Sequence, residues 1–256
     1  LSTIKEFKAD KLHVKVYGDR EGMGRGAAND AACVIKKLLN EKDDVNIIFA
    51  AAPSQNEFLE ALMLDNDIEW GRINAFHMDE YIGLPADAPQ GFGNFLKERI
   101  FDRVPFKSIT YLNGNATDIE EECIRYTKLL KDNPVDIVCM GIGENGHIAF
   151  NDPHVAFFND DKWVKVVDLD LKCRNQQVHD GCFANLDAVP THALTLTIPA
   201  LLSAEHIFCV VPAITKAEAV KNTVNGPITE QCPASILRNH ENAVLYVDKD
   251  SGKYIL

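Results

Sequence analysis

The chain has 256 residues, is 46% hydrophobic and carries a formal net charge of -12 at pH 7. Its length and apolar content suffice for a sizeable core, and the acidic balance argues against a nucleic-acid or anionic-membrane partner. No apolar run is long enough to span a bilayer, and Leu1-Ser2-Thr3-Ile4-Lys5 does not read as a signal peptide.

The apolar pattern alternates between strand and helix along the chain. Residues 13–17 read as a strand. Residues 24–39 read as a helix, with Ala27, Ala28, Ala31, Val34, Ile35 and Leu38 near helical spacing. A buried strand at 45–50 leads into a helix at 54–62, with Ser54 and Glu57 in the capping-box pattern. Next come a strand at 73–76, a helix at 93–100, a short strand at 108–112 and an amphipathic helix at 119–130. Residues 135–140 form another buried strand, followed by strands at 163–167 and 193–198. A strand at 206–211, a helix at 215–223 and a strand at 243–247 close the set. This alternation predicts an α/β fold, a doubly wound, mainly parallel sheet with helices on both faces, Rossmann-like in outline. No linker or charge block divides the chain, so 1–256 reads as a single domain. The polar, poorly periodic segment 169–189 is a candidate mobile cover.

Seven cysteines (33, 123, 139, 173, 182, 209 and 232) are scattered and contain no CxxC pair. They read as buried reduced thiols of a cytosolic protein rather than a disulfide framework or a zinc site. Nothing beside Cys182 looks like an activating partner for a nucleophile.

Two polar clusters follow strand-like runs, and the C-terminal ends of strands are where open α/β sheets hold their sites. The first is Phe76-His77-Met78-Asp79-Glu80-Tyr81. Asp79 is either a general base, partly desolvated by its apolar neighbours, or a solvated loop carboxylate or helix cap. His77 is either a second candidate or a packed side chain. The other cluster is Gly141-Ile142-Gly143-Glu144-Asn145-Gly146-His147-Ile148-Ala149-Phe150-Asn151-Asp152-Pro153. Its glycines let the backbone turn sharply, and His147 with Asp152 is a base-plus-orienter arrangement suited to moving a proton on and off a hydroxyl. A structural histidine and a metal site drawing on His147, Asp152 and His154 are the rival readings, although the spacing matches no compact metal signature. The same turn formally contains GxGxxG, but it lies mid-chain and runs into a proline rather than a helix. For an anion, the turn Ala50-Ala51-Ala52-Pro53-Ser54 offers helix N-terminal amides. Lys216 offers a charge at a helix start, unless it is a solvated surface lysine.

The segments Phe76-His77-Met78-Asp79-Glu80-Tyr81-Ile82-Gly83-Leu84-Pro85 and Gly143 through Pro153 together make the chain resemble the glucosamine-6-phosphate deaminases. Weaker likenesses are Leu112-Asn113-Gly114-Asn115-Ala116, Val189-Pro190-Thr191-His192-Ala193-Leu194-Thr195 and Lys216-Ala217. The resemblance implies aldose–ketose isomerisation and deamination of glucosamine 6-phosphate to fructose 6-phosphate and ammonia, with no metal and no organic cofactor. It implies that Asp79 carries the proton between C2 and C1. His147 would serve ring opening, held and tuned by Asn145 and Asp152, and Lys216 would bind the phosphate. Many members have Asp where this chain has Asn145, and Glu where it has Asp152. The usual hydroxyl- and glycine-rich phosphate loop is here Ala51-Ala52-Pro53-Ser54-Gln55, which keeps only the Ser54 hydroxyl. Arg174 is the candidate for the family's phosphate-binding arginine. These departures leave the same reaction on galactosamine 6-phosphate, a sugar-phosphate lactonase and a non-catalytic sugar-phosphate sensor as alternatives. The expected partners are a small amino sugar phosphate and further copies of the chain, in the cytoplasm.

Overall fold

Short runs rich in Val, Ile and Phe alternate with helical segments, and the computed structural model describes residues 3–256 of the result. Leu1 and Ser2, part of the segment read as leader-free, lie outside them. In chain order the elements are β1 (Lys5–Ala9), β2 (Leu12–Tyr17), α1 (Arg20–Glu41), β3 (Val45–Phe49), α2 (Asn56–Met63), β4 (Ile73–His77) and β5 (Asp79–Tyr81). Then come α3 (Phe92–Leu96), β6 (Ser108–Thr110), α4 (Ile119–Asp132), β7 (Ile137–Met140), β8 (Val164–Asp168), α5 (Leu171–His179) and β9 (His192–Leu196). The chain ends with α6 (Ile198–Leu202), β10 (His206–Val211), α7 (Ala217–Asn225) and β11 (Ala243–Asp248).

The main sheet has eight strands in the order β1-β2-β11-β10-β7-β3-β4-β6. All its pairs are parallel except β1 with β2, so the sheet is doubly wound and mainly parallel. Its faces are apolar in alternation. Ile47 and Phe49 of β3 enter one core with Ile35 and Leu38 of α1 and Phe58 of α2. Ile48, between them, enters the opposite core with Tyr126 of α4 and Val220 of α7. The two-residue period of a strand thus supplies both layers from one segment. From β3 the chain winds outward through β4 and β6, then returns to β7 and winds the other way through β10 and β11. The winding reverses between β3 and β7, and a crevice opens at the C-terminal ends of adjacent strands at such a switch point.

Besides the unpredicted β1 and α6, three features that bear on the site differ from the sequence expectation. A second, antiparallel sheet of β5, β9 and β8 stands beside the main one, and it carries Asp79 on a strand rather than a loop. Ser54 does not cap α2. Residues Pro53–Gln55 form a 3-10 turn, Gln55 takes the cap position without a side-chain bond, and Glu57 turns instead to Arg20. A short helix can begin this way because Pro53 presets the first turn and lacks an N–H that would need a partner. The segment read as an irregular cover contains a helix, α5, capped by Asp170, whose carboxylate accepts from Cys173 N at 2.7 Å. Its sequence hides a helix because so few of its positions are apolar. Among the described residues no helix is long and apolar enough to cross a membrane.

Candidate active site

The loops following β3, β7 and β10 meet at the switch point and line one cleft with β5, α5 and the start of α1. The glycine turn after β7 forms one wall. Gly143 N donates to His147 O at 2.8 Å, and Gly146 N donates to Gly143 O at 2.9 Å. Gly146 has φ +85°, a conformation open to glycine, and a Cβ on Gly143 would fall 2.0 Å from His147 Cε1. The imidazole therefore lies directly on the backbone at Gly143, and any side chain there would displace it.

His147 is buried, with Nδ1 2.6 Å from Asn145 Oδ1 and 3.2 Å from Asp152 Oδ1. The orientation of the Asn145 amide is determined by its other end. Nδ2 donates to Asp152 Oδ1 at 2.9 Å and to Asp170 Oδ2 at 3.1 Å, and a flipped amide would set its oxygen against two carboxylates. Asn145 Oδ1 is thus an acceptor, so Nδ1 of the neutral imidazole carries the proton and Nε2 keeps its lone pair. Nε2 has no protein partner among the described residues. Asp152 is fully buried, yet it reaches the histidine although its side chain is short. Burial alone would raise its carboxyl pKa. The bonds and charge of His147, the Asn145 amide and Asp170 N outweigh this and hold it below the usual carboxylate value.

Asp79 faces the same cleft from β5, where it pairs with Thr195 of β9. Its carboxylate is buried and has no hydrogen-bond donor among the described residues. Burial, reinforced by the charge of Glu80, pushes its pKa well above the ordinary value. A buried, uncommitted carboxylate with a raised pKa is suited to taking and returning a proton. His77 does different work. Its Nδ1 donates to Asp79 O at 2.9 Å, its Nε2 accepts from Leu112 N at 3.0 Å, and burial lowers its pKa to about 4. It is a packed, neutral strut that anchors the backbone under Asp79.

The cleft also holds cations. Lys216 is buried, with no partner for its ammonium among the described residues, and burial lowers its pKa against the opposing pull of Asp180 and Glu144. It is delivered by a strained turn: Ala213 has φ 81° and ψ 145°, a conformation costing roughly 1–3 kcal/mol. Ala213 N donates to Asp248 Oδ2 at 3.1 Å, which helps hold that turn. Ala51, Ala52 and Ser54 line the same cleft. Arg174 does not reach the cleft. Its Nη2 donates to Leu186 O at 2.8 Å and Val189 O at 2.9 Å, closing the cover segment on itself. The cation beside Ser54 is Arg20, the first residue of α1, whose Nε donates to Glu57 Oε1 at 2.7 Å. Sequence reading passed over Arg20, although its place just after a parallel strand puts it at the same sheet edge as the other loops. Gln176 and Gln177 of α5 and Asp180 just after it also line the cleft, and Gln176 Oε1 accepts from Glu144 N at 2.8 Å.

Donor atoms of His147, Asp152 and Cys173, and of Asp152, His154 and Asp170, lie close enough to be considered as metal ligands. In the first group the histidine and aspartate are already hydrogen-bonded partners, and burial raises the Cys173 thiol well above its ordinary pKa, so it is protonated. In the second, the Asp152 and Asp170 carboxylates share the Asn145 amide, and His154 is paired with Asp168 at 2.9 Å. Both sets read as hydrogen-bond networks. Burial likewise pushes the Cys182 thiol up to about 11, which removes it as a thiolate nucleophile.

Known proteins resemble this chain over most of its length. The family model of glucosamine-6-phosphate isomerases/6-phosphogluconolactonase matches residues 18–246. A glucosamine-6-phosphate deaminase of Bacillus cereus is 35% identical over 218 residues, 85% of this chain and 81% of the relative. One from Listeria monocytogenes is 34% identical over 212 residues, 83% of this chain and 88% of the relative. The structure of a monomeric glucosamine-6-phosphate deaminase superposes with a TM-score of 0.85 at 30% identity, covering 94% of this chain and 98% of that one. A 6-phosphogluconolactonase from Thermotoga maritima shares the fold at a TM-score of 0.75 and 22% identity, with 92% and 99% covered.

Proposed function

Because the chain belongs to the family of glucosamine-6-phosphate isomerases and 6-phosphogluconolactonases, we infer that its cleft isomerises and deaminates an amino sugar phosphate, converting glucosamine 6-phosphate and water to fructose 6-phosphate and ammonia. One observation carries this reading within the family. Two uncommitted proton-transfer atoms, the Asp79 carboxylate and His147 Nε2, line one cleft. Aldose–ketose isomerisation needs one base at carbon and one group at oxygen, whereas lactone hydrolysis needs only a group to activate water, and a sensor needs neither.

In the mechanism, His147 Nε2 takes the proton from the anomeric hydroxyl O1 and returns it to the ring oxygen, opening the pyranose. Asn145 and Asp152 stabilise the imidazolium formed in between. Asp79 then removes the proton from C2, giving an enolamine, and delivers it to C1. The resulting C2 imine adds water and expels ammonia, leaving the ketose. The raised pKa of Asp79 helps it hold the proton between these steps. Lys216 and Arg20 with Ser54 and the amides at Ala51 and Ala52 would receive the phosphate, which a single buried ammonium alone would hold without orientation.

The chain acts as one domain, 1–256, with the segment 169–189 as its cover. Its seven unpaired cysteines suit a reducing, cytoplasmic setting. The reading is tested by ammonia release from glucosamine 6-phosphate and galactosamine 6-phosphate, alongside acid release from 6-phosphogluconolactone. Ammonia from the first is expected. Turnover of the lactone alone would refute the proposal, and ammonia from the galacto sugar alone would reassign the substrate.

A further inference from the structure

Asn145 stands between two carboxylates, Asp152 and Asp170, and donates to both. Asp170 belongs to a different element. Its other oxygen caps α5 through Cys173 N, and its own N–H donates to Asp152 Oδ2 at 3.1 Å. The cap residue of α5 is thereby bonded to both groups that hold the imidazole. This also gives a physical reason for an amide at position 145: a carboxylate there would be the third in contact, with no donor between them. We propose that Asp170 is a positioning residue for His147, acting through the Asn145 amide to fix the imidazole tautomer and to add a second negative charge beside it. This inference rests on the ring-opening role read for His147 above.

The charged and titratable groups around the ring are Asp152 on its own loop, Asp79 on β5, and Asp170 and Cys173 at the start of α5. Cys232 packs behind Gly146. Arg20, Lys216 and Asp180 line the same cleft. Of the carboxylates, only Asp152 and Asp170 share a hydrogen-bonded path to Nδ1. The others enter equally in wild type and variants, so a change at position 170 isolates one contribution.

The test is an NMR titration of the eight histidines, with the His147 signal assigned by its loss in His147→Gln, read beside the pH profile of kcat/KM for ammonia release. Asp170→Asn removes the charge and keeps a good helix cap. The His147 midpoint should fall by roughly half to one pH unit, toward the small end for a neighbouring opposite charge, because the amide intervenes. The acidic limb of the rate profile should move with it. Asp170→Ser, also a good cap, should give the same shift. Asn145→Asp should raise the midpoint, and combining Asn145→Asp with Asp170→Asn should bring it most of the way back, since the pair again holds one amide and one carboxylate. A His147 midpoint unmoved in Asp170→Asn would overturn the proposal, as would a double variant no closer to wild type than Asn145→Asp. So would unfolding of both cap-preserving variants, since the carboxylate would then be structural. If wild type releases no ammonia, the functional reading fails while the titration still decides the role of Asp170.

Discussion

Asp79→Asn should make the protein inactive and more stable at once. The substitution keeps shape and volume and removes only the charge. In the native state that charge is buried, is without a hydrogen-bond donor among the described residues and lies beside Glu80. For the reaction, loss of a positioned base should lower kcat by about a thousandfold or more, about 4 kcal/mol of barrier. For the fold the sign is opposite. The folded-state pKa of Asp79 is raised, so the native state binds its proton more tightly than the unfolded chain does. Its contribution to stability is therefore lost as pH rises from the unfolded value near 3.8. At neutral pH the carboxylate is a net cost, and the asparagine should gain roughly 1–2 kcal/mol, within the range of a single stabilising substitution. That corresponds to a Tm higher by about 2–8 °C for a chain of this size. Ammonia-release kinetics and thermal melts on the same preparation supply both numbers. The Tm difference should shrink as the pH is lowered toward 4. A variant that retains turnover, or that melts below wild type at neutral pH, would refute the reasoning.

Lys216→Ala should raise KM for the phosphorylated sugar by roughly 10- to 150-fold, the worth of a charge-assisted contact of about 1.5–3 kcal/mol, with little change for the unphosphorylated sugar. Because burial lowers the Lys216 pKa, wild-type KM should begin to climb at a lower pH than an ordinary lysine would require. Arg20→Ala should raise KM by about tenfold, the low end for a partly exposed cation. Arg174→Ala should leave KM unchanged and lower Tm instead, through the lost bonds to Leu186 and Val189; a KM effect confined to Arg174 would reverse the assignment. Gly143→Ala should cost at least about a hundredfold in kcat with the fold retained, since its Cβ would push the imidazole out of line. Activity close to wild type would show that the ring is not held where it is drawn.

Much of the strand and helix order was legible in the chain because those segments carry strong periodicity: the strands other than β1 and β5, with α1 and α4, appear where the apolar pattern predicts them, to within a few residues. The glycine turn was legible too, since three glycines in so short a span leave the backbone few other uses. Local sequence carried less where packing competes with it. Ser54 has the cap signature yet leaves the cap to Gln55, because Pro53 starts a 3-10 turn and Arg20 claims Glu57. The polar sequence of α5 concealed a helix that Asp170 caps and that packs over the cleft. Only the tertiary structure decided which side chains meet. Asp79 and His147 lie 68 residues apart in sequence, counting from 79 to 147, and share a cleft because the winding reverses between β3 and β7. Arg174 bears the same charge as Arg20, but it sits on the side of α5 from which its guanidinium reaches the carbonyls of its own cover segment. Residue type therefore tells which chemistry a side chain can perform. Whether it faces the cleft is decided by strand order and by the competition for hydrogen-bond partners, and neither is written at the residue itself.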